Sequence, residues 1–198
     1  MFAIMQRGGP IMWPLLITSI ISLTVVIERI WFIFSVSLSR EPEAVKNVLT
    51  AAENNDINSA IEAGKDSNDF VAIVLVEGLR QKDSLSNALL RASNRVLKQF
   101  NRGLSVLDTV ITLAPLLGLL ATVTGMIRAF GLLGGKELDS PSVITGGIAE
   151  ALIGTAFGLG IAILALIPFN YLNSRLEEAR HELEDTTTHL ELRLKRRG

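Results

Sequence analysis

Glu150 stands inside an apolar run, Gly146-Gly147-Ile148-Ala149-Glu150-Ala151-Leu152-Ile153-Gly154-Thr155. From Ser142 to Leu172 the only other ionisable side chain is Tyr171. A carboxyl group in hydrocarbon is costly, so by default it marks an ion pathway or a partner contact. Thr155 shares its run, and Thr122 lies in an earlier one. One glutamate with threonines suits protons at least as well as sodium. Asp108, Thr112, Pro115, Leu119 and Thr122 recur at helical spacing, which puts them on one face. That face reads in two ways. It is a hydrated lining facing a central space, or Asp108 is interfacial while Thr112 and Thr122 bond their own i−4 carbonyls.

Depth separates these groups. Glu150 is 7 residues in from Val143, which is roughly 10 Å at 1.5 Å per residue. Thr155 is 12 residues in from Val143, and Thr122 is 11 in from Leu133. Both then lie roughly 16–18 Å deep, near mid-membrane. On a straight helix Glu150 and Thr155 point about 140° apart. One narrow axis cannot receive both unless the lining is wide or the helix is distorted; the alternative is that one of them faces a neighbouring subunit. The plainer reading of Glu150 is an ion pair or a helix cap, with Arg128 the nearest cation.

Other chemistries lack residues. The chain has 198 residues and no cysteine. Both histidines, His181 and His189, lie in a charged tail, so no metal site is expected. The spans hold no nucleotide loop and no nucleophile–base pair, so neither an enzyme nor a bound cofactor is expected. A formal net charge of −1 attracts no nucleic acid.

The elements that position Glu150 come from the hydropathy pattern. Three apolar blocks, residues 11–34, 104–133 and 143–172, each exceed the roughly 20 residues that cross a bilayer as helix. The first is too long for a signal h-region and lacks a cleavage pattern. The expected organisation is therefore an all-α membrane protein with three transmembrane helices. An outer stub (1–10) precedes the first span. A helical segment (35–103) follows it, an outer loop (134–142) joins the other two, and a helical tail (173–198) ends the chain. Segment 35–103 holds nine Lys or Arg and the tail six, against Arg7 in the stub and Lys136 in the loop. That bias puts the segment and tail in the cytoplasm and the N-terminus outside.

In the segment, helices are expected over Glu41–Asn54, from Asp56 as cap, and over Ser84–Gly103, with a break across Gly64–Asn68. No breaker stands between Ser84–Gly103 and the second span, so it should run on into that span as one long helix. The tail leucines 172, 176, 183, 190 and 194 form a near-heptad seam continuing the third span, read as intramolecular packing in preference to a partner groove. Within the spans, Ala114, Gly118, Ala121, Gly125 and Ala129 form one small-residue stripe. Gly147, Ala151, Gly154, Gly158 and Ala162 form another. Such stripes let helices approach closely, so the second and third spans should pack as a tight antiparallel pair or across subunits.

These motifs resemble the MotA/TolQ/ExbB family of proton-channel subunits, most closely its ExbB branch. The likeness rests on Gly8-Gly9-Pro10, Met12, Pro14-Leu15-Leu16 and Glu28-Arg29. It rests further on Ala114-Pro115-Leu116-Leu117-Gly118-Leu119-Leu120-Ala121-Thr122-Val123 and on Gly147 to Ala156. Ala121 departs from the family's usual glycine. The resemblance implies a homopentamer in the bacterial inner membrane. It would enclose the single-span helices of an ExbD-like partner, whose membrane aspartate is protonated and released. Proton motive force would then drive work at the outer membrane, indirectly through a TonB-like protein. By motif position Thr122, Glu150 and Thr155 match the family's functional residues. A TolQ-like subunit and a non-conducting scaffold remain as alternatives.

Overall fold

The computed structural model describes residues 8–81, 84–131 and 141–195. Among them the regular structure is helical, with no strand. The helices are α1 (Met12–Leu38), α2 (Pro42–Glu53), α3 (Ile57–Gly64), α4 (Phe70–Leu79), α5 (Leu85–Asn101), α6 (Leu104–Gly131) and α7 (Pro141–Lys195). Three stretches are long and apolar enough to cross a membrane: Met12–Leu38, Leu85–Gly131 and Thr145–Leu194. The stub before Gly8 and most of the 134–142 loop lie outside the described residues, but α7 already begins at Pro141.

The chain forms two compact units. The first comprises residues 1–28 and 103–170. Here α1 starts on Gly8-Gly9-Pro10: Met12 N–H donates to the Gly9 carbonyl at 3.2 Å and Trp13 N–H to that of Pro10 at 3.3 Å. Met12 and Leu15 pack in one cluster with Ala114 of α6 and Ala162 of α7. The opposite side of α1 exposes Trp13, Ile17, Ile20, Leu23 and Ile27. So continuous an apolar surface suits lipid rather than water.

α6 and α7 form the tight antiparallel pair that the small residues predict. The whole stripe Ala114, Gly118, Ala121, Gly125 and Ala129 is buried. Methyl groups added at Gly125 and Gly147 would stand 2.8 Å from the Cβ atoms of Ala151 and Ala129. One added at Gly154 would overlap the Cβ of Ala121, and one at Gly158 would come within 3.0 Å of the Gly118 Cα. Real Cβ atoms do not approach so closely, so backbones here touch where larger residues would hold them apart. Pro115 and Pro168 lie within α6 and α7 without ending them.

The second unit comprises residues 29–102 and 171–198. Its core is apolar: Val48 and Ala52 from α2, Val71, Val74 and Leu75 from α4, Leu89 and Ala92 from α5, and Leu183 and Leu190 from α7. The tail leucines thus pack within the chain. Asp69 ties this core together. As N-cap of α4 it accepts from Val71 N–H at 2.8 Å. It also accepts from Glu41 N–H at 2.9 Å and pairs with Arg40 Nε at 3.3 Å, while only 1% exposed. Arg40 in turn holds Glu182 of α7 through two hydrogen bonds, one of 3.0 Å. Burial opposes the charge on Arg40, but the hydrogen bonds it donates to Glu182 and the charges of Asp69 and Glu182 outweigh it and raise its pKa. Asp56 caps α3 as expected, accepting from Ser59 N–H at 3.0 Å.

One expectation needs correction. The helix read as continuous from Ser84 into the second span is two helices. α5 ends at Asn101, Arg102 is extended, and Gly103 turns left-handed with φ +81° before α6 begins. Glycine adopts that conformation without a Cβ clash and so ends α5. Arg29, 3% exposed, donates Nη1 to the Gln99 carbonyl at 2.8 Å, satisfying an acceptor in the last turn of α5. Its guanidinium also lies 4.7 Å from the Phe32 ring centre.

Candidate functional site

The polar contacts that join helices of the first unit, an ion pair and a hydroxyl–carbonyl bond, run between α6 and α7. Near the C-terminal end of α6, Arg128 Nη1 donates to Glu150 Oε1 at 2.7 Å. Glu150 therefore has the cation that its position required, and its side chain is 27% exposed against 47% for Arg128. The same carboxylate packs on Gly9, in the segment that precedes α1.

Thr155 lies further along α7. Its hydroxyl crosses the seam and donates to the main-chain carbonyl of Gly118 at 2.8 Å. Only a glycine or alanine stripe lets a threonine reach a neighbouring backbone in this way, so the packing and the polar contact have one cause. Glu150 and Thr155 thus both contact α6 of the same chain, at Arg128 and at Gly118, whereas their angular separation on one helix predicts that they point apart.

Thr122 turns back on its own helix, donating to the Leu119 carbonyl at 2.6 Å. It also borders an open groove with Val123, Met126, Ile127 and Phe130. Thr112 donates to the carbonyls of Asp108 at 3.2 Å and Thr109 at 3.0 Å. Asp108 and Thr112 are exposed on α6. Intrahelical bonding therefore accounts for the Thr112 and Thr122 hydroxyls at rest, and each keeps lone pairs for a further partner. Gly118, Gly125, Gly147, Gly154 and Gly158 all lie in the α6–α7 seam.

The described residues contain no group of three or more side chains suited to hold a metal. The sequence reading missed three features. It gave no role to Gly9, although Gly8-Gly9-Pro10 was in view. It left the Gly118 carbonyl out of account, because main-chain acceptors carry no sequence signal. It also passed over Asp69, whose signal is an acidic cap directly before an apolar run.

Three long apolar helices, two packed through small residues around a carboxylate and a cross-seam hydroxyl, define a multi-pass membrane protein. The sequence comparisons refine that class. Residues 52–185 match the model of the MotA/TolQ/ExbB proton channel family. A putative biopolymer transport protein, ExbB-like 1 of Synechocystis sp., is 37% identical over 175 residues, covering 85% of this chain and 68% of the relative. ExbB-like 3 of the same organism is 30% identical over 196 residues, covering 94% and 91%. The Tol-Pal system protein TolQ of Haemophilus influenzae is 38% identical over 89 residues, covering 45% and 39%. The chain belongs to the MotA/TolQ/ExbB proton channel family.

Proposed function

We propose that this protein is an inner-membrane proton-channel and motor subunit. It works as an oligomer, a pentamer by family resemblance, around single-span helices of an ExbD-like partner. Proton motive force becomes mechanical work for energised transport at the outer membrane. Thr122, Glu150 and Thr155 serve the proton pathway, with Asp108 and Thr112 as further lining toward the cytoplasm. The N-terminus is outside, and residues 35–103 and the tail are cytoplasmic.

The observation that carries this reading is Glu150 itself. A half-buried carboxylate in an otherwise uncharged span, paired with Arg128 of the neighbouring helix, is costly to place there without a pathway or partner role. Among the described residues, no second acid lies between Val110 and Ile127 or between Thr145 and Leu172. The proton carrier must then come from a partner, which is why Glu150 is necessary but insufficient. The ExbB reading is preferred over TolQ because the two ExbB-like relatives align along most of this chain and the TolQ match along under half.

The test is partner-dependent proton flux in proteoliposomes. Glu150→Ala and Thr155→Val should each abolish it while the complex still assembles. Unchanged flux in both variants removes the reading.

A non-conducting scaffold is the second reading. It is favoured by the Arg128 ion pair and the Thr155–Gly118 bond, which both join helices. It predicts that Glu150→Gln is tolerated and that no acidic single-span partner is needed.

A further inference from the structure

The Glu150 oxygen that accepts from Arg128 also fills the place where a side chain on Gly9 would begin. A Cβ built on Gly9 overlaps Oε1 and lies 2.9 Å from Cδ and 3.4 Å from Cγ of Glu150. Gly9 cannot easily turn aside. Its carbonyl accepts the Met12 N–H at the start of α1, and its φ of +71° is in the left-handed region. Gly8 is equally confined: a Cβ there would meet Met12 Sδ at 2.7 Å and Ile153 Cγ2 at 3.3 Å. The segment therefore lies flat on the turn of α7 that carries Glu150 and Ile153. A side chain at position 9 would meet the free end of a flexible glutamate, so the carboxylate would yield before the backbone. Because one oxygen makes both contacts, yielding to position 9 means leaving Arg128.

We propose that Gly9 is a positioning residue for Glu150: its missing side chain is the seat of the carboxylate oxygen that Arg128 holds. The functional weight of that seat rests on the proton-pathway reading of Glu150, whereas the seat itself does not. Replacing Gly9 unseats the acid without touching either charged residue. It should thus break the Arg128–Glu150 coupling from a third site on another segment.

The experiment uses the full-length chain in lipid nanodiscs. Unfolding midpoints are measured for Arg128→Ala, Glu150→Ala and the double variant. The same cycle is repeated in Gly9→Ala and Gly9→Asn backgrounds. Asparagine accepts the left-handed backbone, so it separates filling of the seat from backbone strain. Strain from Gly9→Ala is common to every member of its cycle and cancels. The expected result is non-additive midpoints with Gly9 native and additive midpoints in both backgrounds. Coupling that survives in both backgrounds, or additivity already present with Gly9 native, overturns the proposal. Partner-dependent proton flux is read in parallel. Gly9→Ala should fall to the Glu150→Ala level. Native flux in Gly9→Ala where Glu150→Ala has lost it also overturns the proposal. Coupling lost with flux unchanged in every variant leaves the seat established and removes the pathway reading instead.

Discussion

Thr155 donates its hydroxyl to the main-chain carbonyl of Gly118 at 2.8 Å, so a side chain of α7 bonds the backbone of α6. The Gly118 carbonyl can do this because no side chain at position 118 stands in the way. Hydroxyl and carbonyl form one unit across the seam.

Thr155→Ser keeps this hydroxyl, and Thr155→Val replaces it with a methyl group of similar shape. Serine should retain helix-pair stability and flux. Valine should lower stability by about 0.5–1.5 kcal/mol, as expected for one hydrogen bond. Thermal unfolding in nanodiscs gives the stability, and a valine variant as stable and active as the serine one would refute the unit.

Glycines of α7 should divide by their surroundings. Gly158→Ala pushes a methyl group against the backbone of Gly118 and should lower the unfolding midpoint. Gly160 has open space where a Cβ would stand, so Gly160→Ala should be neutral or stabilise by up to about 1 kcal/mol. Equal effects of the two substitutions would show that the seam does not control stability.

Asp69→Ala removes the cap of α4, an acceptor for Glu41 N–H and a partner of Arg40 at once. Losing a cap and leaving a buried N–H unpaired should cost about 2–4 kcal/mol. The loss should appear in the unfolding of the second unit, followed by hydrogen exchange in α4. Exchange rates unchanged in α4 would count against this role.

Asp56 supplies a pH-dependent cap. Hydrogen bonds from the Ser59 hydroxyl, then from the Ser59 N–H, hold its exposed carboxylate below the usual range. A depressed folded-state pKa contributes stability that is present above the ordinary aspartate value and lost as pH falls through the depressed one. The Ser59 amide should therefore stay protected from exchange slightly below the ordinary aspartate range and lose protection on further acidification. Asp56→Asn should remove that pH dependence, and an unchanged profile in the variant would contradict the assignment.

Much of this arrangement was legible in the residue pattern because its causes are local. Hydropathy marked the three apolar helices, and Asp56 stood where a cap is needed. The two small-residue stripes announced the α6–α7 pair. The break at Arg102–Gly103 was not legible, because a lone glycine in a helical pattern is as often tolerated as terminating. The cap role of Asp69 has a local signal, but its ties to Arg40 and Glu41 have none, since those partners lie far back in the chain. The Arg128–Glu150 pair was one of several readings, and only the fold brought the two residues to 2.7 Å. Gly9 was illegible for the same reason: nothing in a Gly-Gly-Pro start names the distant side chain that needs the empty place.

The α6–α7 seam also limits how this gene can change in length. Inserting or deleting one residue in either helix turns everything beyond it by about 100°. Leucines such as Leu119 and Leu120 would then swing toward the place where Gly118 and Ala121 now touch α7. A pair spaced by bulky side chains could slide to a new fit, whereas one whose backbones touch cannot. The interval of five positions between Glu150 and Thr155 is thus held by packing before any selection on what the two residues do. Substitutions can accumulate on the lipid side of these helices, while their residue count stays frozen.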